Sequence, residues 1–187
     1  MYLHWMESDA SERIAEIESR VSFTVLPVVA DQWTIVAWLW QSYRNDLATV
    51  VNGFPYSDGR YQAANLDELP SDDGLAYIAW RPHPKTGEDA PIGFAVIKGL
   101  TGDRRSIEGF WVAPAMRREG VGSLFAQRIL ARHEGPWTIA FQHENASAAV
   151  FWRNVANKVF GVGNWSEVQR PVPGIPTAPP DHFIESQ

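Results

Sequence analysis

A strand that ends at Val112 and runs through Pro114, a polar turn and two glycines into an amphipathic helix restricts the fold of this chain more than any other feature. The run is GFWVAPAMRREGVGSLF, residues 109–125. Pro114 stops the strand because proline cannot continue a ladder. Gly120 and Gly122 permit close backbone approach where a side chain would collide with a ligand. From Gly120 onward Val121, Leu124, Phe125 and Ile129 share one helical side. The first turn of such a helix leaves several N–H groups unpaired and carries partial positive charge, which suits phosphate oxygens. Arg117 and Arg118 add full charges beside it. The segment therefore reads as a cradle for a diphosphate.

The rest of the chain supplies a sheet for that segment. Residues 8–21 predict a short lead-in helix with Ile14, Ile17 and Val21 on one face. Phe23 to Val28 reads as a first strand, and Asp31 is placed to cap a helix bearing Val36, Trp40, Tyr43 and Leu47 on one side. Residues 50–74 hold Asn-Gly and Ser-Asp-Gly turn signals and read as a loop with at most one short helix, long enough for a substrate lid. Strands follow at 76–80, 92–98 and 106–112, the first two as a hairpin with a wide loop. A strand at 137–142, a helix capped by Asn145, and strands at 165–170 and 182–186 complete the order. Hairpin strands followed by βαβ predict an α/β (α+β) domain, a mixed sheet with helices packed on it. One domain over 1–187, with 1–22 as its helical lead-in, is the expectation from a 187-residue chain that is 45% hydrophobic.

Charge and composition then exclude several chemistries. The net charge of −6 opposes nucleic-acid binding and favours a cationic acceptor. The absence of cysteine removes thiolate nucleophiles and Cys-based zinc sites. His83, His133 and His182 lack ligand spacing, so no metal is expected. No run of about 18 apolar residues and no basic leader with an apolar core occur, so a cytoplasmic protein with no membrane partner is expected. Asn145-Ala146-Ser147 and Asn164-Trp165-Ser166 match glycosylation sequons and are read as chance.

Neither the dinucleotide fingerprint nor the Walker spacing follows the strand. Arg117-Arg118-Glu119-Gly120-Val121-Gly122, after an apolar strand end and a proline, instead resembles motif A of the GNAT (Gcn5-related N-acetyltransferase) superfamily. Asn145 followed by AAVFWRNV resembles its motif B, and the likeness covers roughly residues 23–186. DGRY, GFAVIK and FWR are similar to one branch of the superfamily.

The resemblance implies a mostly antiparallel twisted sheet, splayed at two central parallel strands, and acetyl-CoA as cosubstrate. It implies that the backbone of Phe110, Trp111 and Val112 pairs with the pantetheine arm. Arg117, Arg118, Glu119, Gly120, Val121, Gly122 and Ser123 would form the pyrophosphate turn, with Asn145 and Phe151 touching pantetheine. Glu108 resembles the general base of several members and, by the period of two, shares a face with Phe110 and Val112; the competing reading is a solvated or salt-bridged glutamate. The tyrosine that commonly serves as acid in motif B is replaced by Phe151-Trp152, so the acid must come from elsewhere, from water or from Tyr43, Tyr56 or Tyr61. His143 is a second base candidate, set against a capping or exposed histidine. Lys158, Arg153 and Arg128 are candidates for the cofactor's 3′-phosphate, or solvated helix charges. The implied activity is transfer of an acetyl group from acetyl-CoA to the primary amine of a small molecule. The alternatives are a CoA-binding regulatory module and a nucleotide-binding domain of another class. A homodimer is favoured by the exposed strand ending and by the resemblance.

Overall fold

The computed structural model describes residues 22–63, 66–175 and 177–187. The lead-in helix expected at 8–21 lies outside them. Seven strands form one sheet: β1 (Thr24–Pro27), β2 (Gly74–Pro82), β3 (Asp89–Lys98), β4 (Arg105–Val112), β5 (Trp137–Phe141), β6 (Trp165–Arg170) and β7 (Asp181–Ser186). Their order is β1-β2-β3-β4-β5-β7-β6, and β4–β5 is the parallel pair among antiparallel ones. Three α-helices are described: α1 (Trp33–Val51), α2 (Val121–Leu130) and α3 (Ala146–Val159).

The apolar runs of β2 and β3 are continuous because both faces of those strands are covered. Ala76, Ile78, Phe94 and Val96 pack with Val36 and Trp40 of α1. The alternating Tyr77, Ala79, Ala95 and Ile97 join Phe125 and Ile129 of α2 and Trp152 and Val155 of α3 in the larger core. Helix α1 thus covers one face, and α2 with α3 the other.

Two local expectations need correction. Asp31 does not cap α1: it lies in a 3-10 turn, Ala30–Gln32, and the helix starts at Trp33 with no side-chain cap. The helix also runs on to Val51, where Asn52 takes a left-handed conformation (φ 50°) and its N–H bonds back to the Ala48 carbonyl. The short helix in the 50–74 loop is a single 3-10 turn, Leu66–Glu68. Asn145 caps α3 as expected, its side chain accepting from the Ala148 N–H at 3.0 Å.

Candidate active site at the splayed strands

Strands β4 and β5 pair only from Arg105–Trp137 to Ile107–Ile139. That end is laced shut: Arg104 donates to the carbonyls of Trp137 (3.0 Å) and Ser186 (2.8 Å), and the Trp137 N–H donates to Ser186 Oγ at 2.8 Å. Beyond Ile107 the strands separate, β5 continuing against β7 and β4 against β3. Among the described residues, the edge of β4 from Glu108 to Val112 therefore has no strand partner on the β5 side. An unpaired edge inside a sheet is a place where an extended, hydrogen-bonding ligand can add. Phe110 floors the gap, its ring 5.6 Å from Phe151 and 5.1 Å from Trp152.

The turn beyond β4 has cradle geometry. Arg118 and Gly120 take left-handed backbone (φ 67° and 86°), so successive amides turn toward one side at the start of α2. The amides of Arg118, Glu119 and Gly120 make no backbone hydrogen bond among the described residues, and the first backbone bond back into the turn runs from Leu124 N–H to the Gly120 carbonyl. A Cβ on Gly122 would meet the Phe151 ring at 3.4 Å, an ordinary contact, so the packing of α2 against α3 does not itself require glycine here. The chain's own residues thus fit an anionic diphosphate at the helix start.

The cations sort themselves by contact. Arg117 is committed to the fold: its Nε donates to the Val112 carbonyl at 2.8 Å and its Nη2 to Asp46 of α1, which also accepts from Trp111 Nε1 at 2.9 Å. Burial raises the Asp46 carboxyl, but the hydrogen bonds from Arg117 and Trp111 outweigh it and hold the group below its usual range. Arg128 donates to the Phe23 carbonyl, and Arg153 grips Glu167 with two bonds of 2.7 and 2.8 Å. Lys158 reaches Ser123 Oγ at 3.4 Å, beside the cradle.

Glu108 stands where two cavities meet. One, about 340 Å³, lies between α1 and the sheet; the other, about 80 Å³, lies in the gap between β4 and β5, and Tyr43, Leu47, Glu108 and Gln142 line both. The strict alternation expected around Glu108 is broken. Pairing with β3 shifts from Val96–Gly109 to Ile97–Ile107, leaving Glu108 as the extra residue of a bulge. Phe110 and Val112 pack toward α2 and α3, whereas Glu108 also reaches the α1-side cavity. Its Oε1 accepts from Ser106 Oγ at 2.6 Å.

Tyr43 faces the same junction. Burial raises its phenol, Arg44 opposes the rise and Glu108 adds to it, so the hydroxyl stays protonated at neutral pH. The loop beyond α1 forms one wall and is pinned to the helix: Trp40 Nε1 donates to the Gln62 carbonyl at 2.9 Å, and Gln41 exchanges two bonds with the Tyr61 backbone. Gly109 leaves room for Trp40, since a Cβ there would stand 2.5 Å from Trp40 Cζ3. Asn145 lines the gap while its carbonyl oxygen caps α3. His143 lines neither cavity; it is exposed and bonded to His182 at 3.0 Å. The described residues contain no cluster suited to a metal.

A sequence model of the acetyltransferase (GNAT) family matches residues 33–158. No curated protein matches significantly. Among solved structures, the chain is similar to Arabidopsis thaliana NAA60 in complex with a bisubstrate analogue, at 11% identity, covering 89% of this chain and 97% of that one, with a TM-score of 0.58. The ribosomal-protein-S18-alanine N-acetyltransferase of Escherichia coli is 12% identical over 88% of this chain and 92% of its own, with a TM-score of 0.53. A chimera of the Vibrio cholerae spermidine N-acetyltransferase and hSSAT is 9% identical over 88% and 94%, with a TM-score of 0.55. At such identities the likeness establishes the shared fold.

Proposed function

The chain belongs to the acetyltransferase (GNAT) family, and from that premise we propose that it moves the acetyl group of acetyl-CoA to the primary amine of a small molecule. The observation that carries this reading is Glu108, a carboxylate at the junction between the unpaired β4 edge and the cavity beside α1. Bound acetyl-CoA would supply an activated acyl thioester. On this reading the backbone of Phe110, Trp111 and Val112 holds the pantetheine arm. The amides of Arg118, Glu119, Gly120, Val121, Gly122 and Ser123 hold the pyrophosphate on a turn that Arg117 braces against Asp46, and Asn145 and Phe151 border the arm.

Glu108 would take the proton from the attacking amine, directly or through one water. Ser106 steadies one carboxylate oxygen and leaves the other for that proton. The acid absent from α3 has a candidate substitute in Tyr43, which lines the same junction with its phenol protonated and would donate to the departing sulfur. Phe151 and Trp152, at the position where the resemblance leads one to expect a tyrosine, serve as packing against Phe110. No helix among the described residues is long and apolar enough to cross a membrane; a cytoplasmic setting and a homodimer accompany the reading as proposals.

The test is thiol release from acetyl-CoA by the purified protein with a panel of primary amines. Amine-dependent release with an N-acetylated product supports the reading. CoA binding without turnover on any amine would favour the CoA-binding module, the role that replacement of the α3 tyrosine suggests.

A further inference from the structure

We propose that the acceptor is an amine that also carries a carboxylate, held by Arg44 while its amino group faces Glu108; this rests on the acyltransfer reading above. Among the described residues, the 340 Å³ cavity is lined by two cations, Arg44 and Lys98, against the single anion Glu108. Lys98 is already partnered, with its Nζ 3.7 Å from Glu68 Oε2. Arg44 is not: its Nε is buried without a hydrogen-bond partner, and among the described residues no carboxylate lies within ion-pairing distance of its guanidinium. The Nε itself is closed off from solvent, but Arg44 lines the cavity, and a cation there without a counter-ion favours an anionic group on the ligand. The planar guanidinium matches a carboxylate with two parallel bonds.

The chain's net charge of −6 points the other way, toward a purely cationic amine. Screening decides between them: at physiological salt the field of distant surface charges fades over about 8 Å, whereas Arg44 lines the cavity itself. A plain amine or polyamine would leave Arg44 unpaired and place like charges together. A zwitterion pairs both ends of the site.

Arg44, Leu47 and Gln62 also line an adjoining groove of about 120 Å³ walled by Phe54, Tyr56 and Tyr61. Phe54 is 86% exposed and Tyr56 61% exposed. Those rings give an apolar side group on the acceptor a surface to pack on.

The experiment measures thiol release with matched pairs that differ by the carboxylate: phenylalanine and 2-phenylethylamine, leucine and isoamylamine, lysine and cadaverine. Phenylalaninamide, equal in size but without the negative charge, completes the set. The proposal expects kcat/KM for at least one carboxylated member to exceed that of its partner by more than tenfold, and the amide to behave as the plain amine. Arg44→Gln should collapse that ratio toward one, and Arg44→Lys should keep part of it; because the ratio is taken within each variant, a general loss of folded protein does not imitate the effect. Plain amines turned over as well as carboxylated ones, or a ratio untouched by Arg44→Gln, would overturn the proposal and leave amine acetylation standing. Failure of every amine to release thiol would overturn the acyltransfer reading as well.

Discussion

Substituting Gly120 by aspartate separates the charge logic of the cradle from its packing. Gly120 caps α2 with φ 86° and ψ −10°, a region that costs a typical L-residue about 1–2 kcal/mol and aspartate less. The fold should tolerate that, with a melting temperature lower by roughly 2–8 °C at the usual few degrees per kcal/mol for a chain of this size. Binding should not tolerate it. A carboxylate about 4 Å from one phosphate charge is repelled by about 4 kcal/mol at an effective dielectric of 20. With some yielding of the side chain toward solvent, that corresponds to a CoA affinity about 10²–10³-fold weaker. Gly120→Ala carries the backbone strain without the charge, so its affinity should fall by less than about tenfold. Calorimetric titration with CoA, beside thermal melts of all three proteins, reads both effects. Unchanged affinity in Gly120→Asp would refute the location of the pyrophosphate, and an equal loss in Gly120→Ala would mean that packing rather than charge is responsible.

Glu108→Gln should lower kcat by about 10²–10⁴ while CoA affinity holds; an unchanged kcat would reject the base. Tyr43→Phe should lower kcat by roughly tenfold or more with CoA affinity retained, since only the proton donor is lost; full activity would return the acid role to water. Glu167 is held down to about 2 from its ordinary 4.5, first by hydrogen bonds from Arg153, against the opposing effect of burial, and then by His182. A depressed carboxyl contributes stability that is present above pH 4.5 and fades as pH falls toward about 2. The difference in melting temperature between the wild type and Glu167→Gln should therefore shrink over that window, and a constant difference would contradict the assignment.

What the sequence revealed follows the range of the interactions involved. The strand-turn-helix was legible because Pro114 and Gly120 act over a few residues, and the Asn145 cap because its partner is three residues away. The Asp31 cap failed for a local reason as well: a 3-10 turn intervenes, and sequence does not distinguish its start from that of the helix. Long-range partners were invisible. The bond between Arg117 and Asp46 spans 71 residues, and it changes Arg117 from a free cation to a strut between α1 and the turn. The alternation that placed Glu108 beside Phe110 and Val112 missed the bulge, which appears only once β3 and β4 are in register. Tyr43 was one of three tyrosines with nothing to choose between them until the fold brought α1 over the splayed strands. The insertion of β7 between β5 and β6 likewise has no local signature.

A crystal structure with CoA bound is the decisive check on the placement of the cofactor. It should show pantetheine density along the β4 edge from Glu108 to Val112, pyrophosphate density on the amides of Arg118 to Ser123, and the thiol end beside Glu108 and Tyr43. Density for CoA elsewhere, or a β4 edge still unpaired in crystals saturated with CoA, would contradict it.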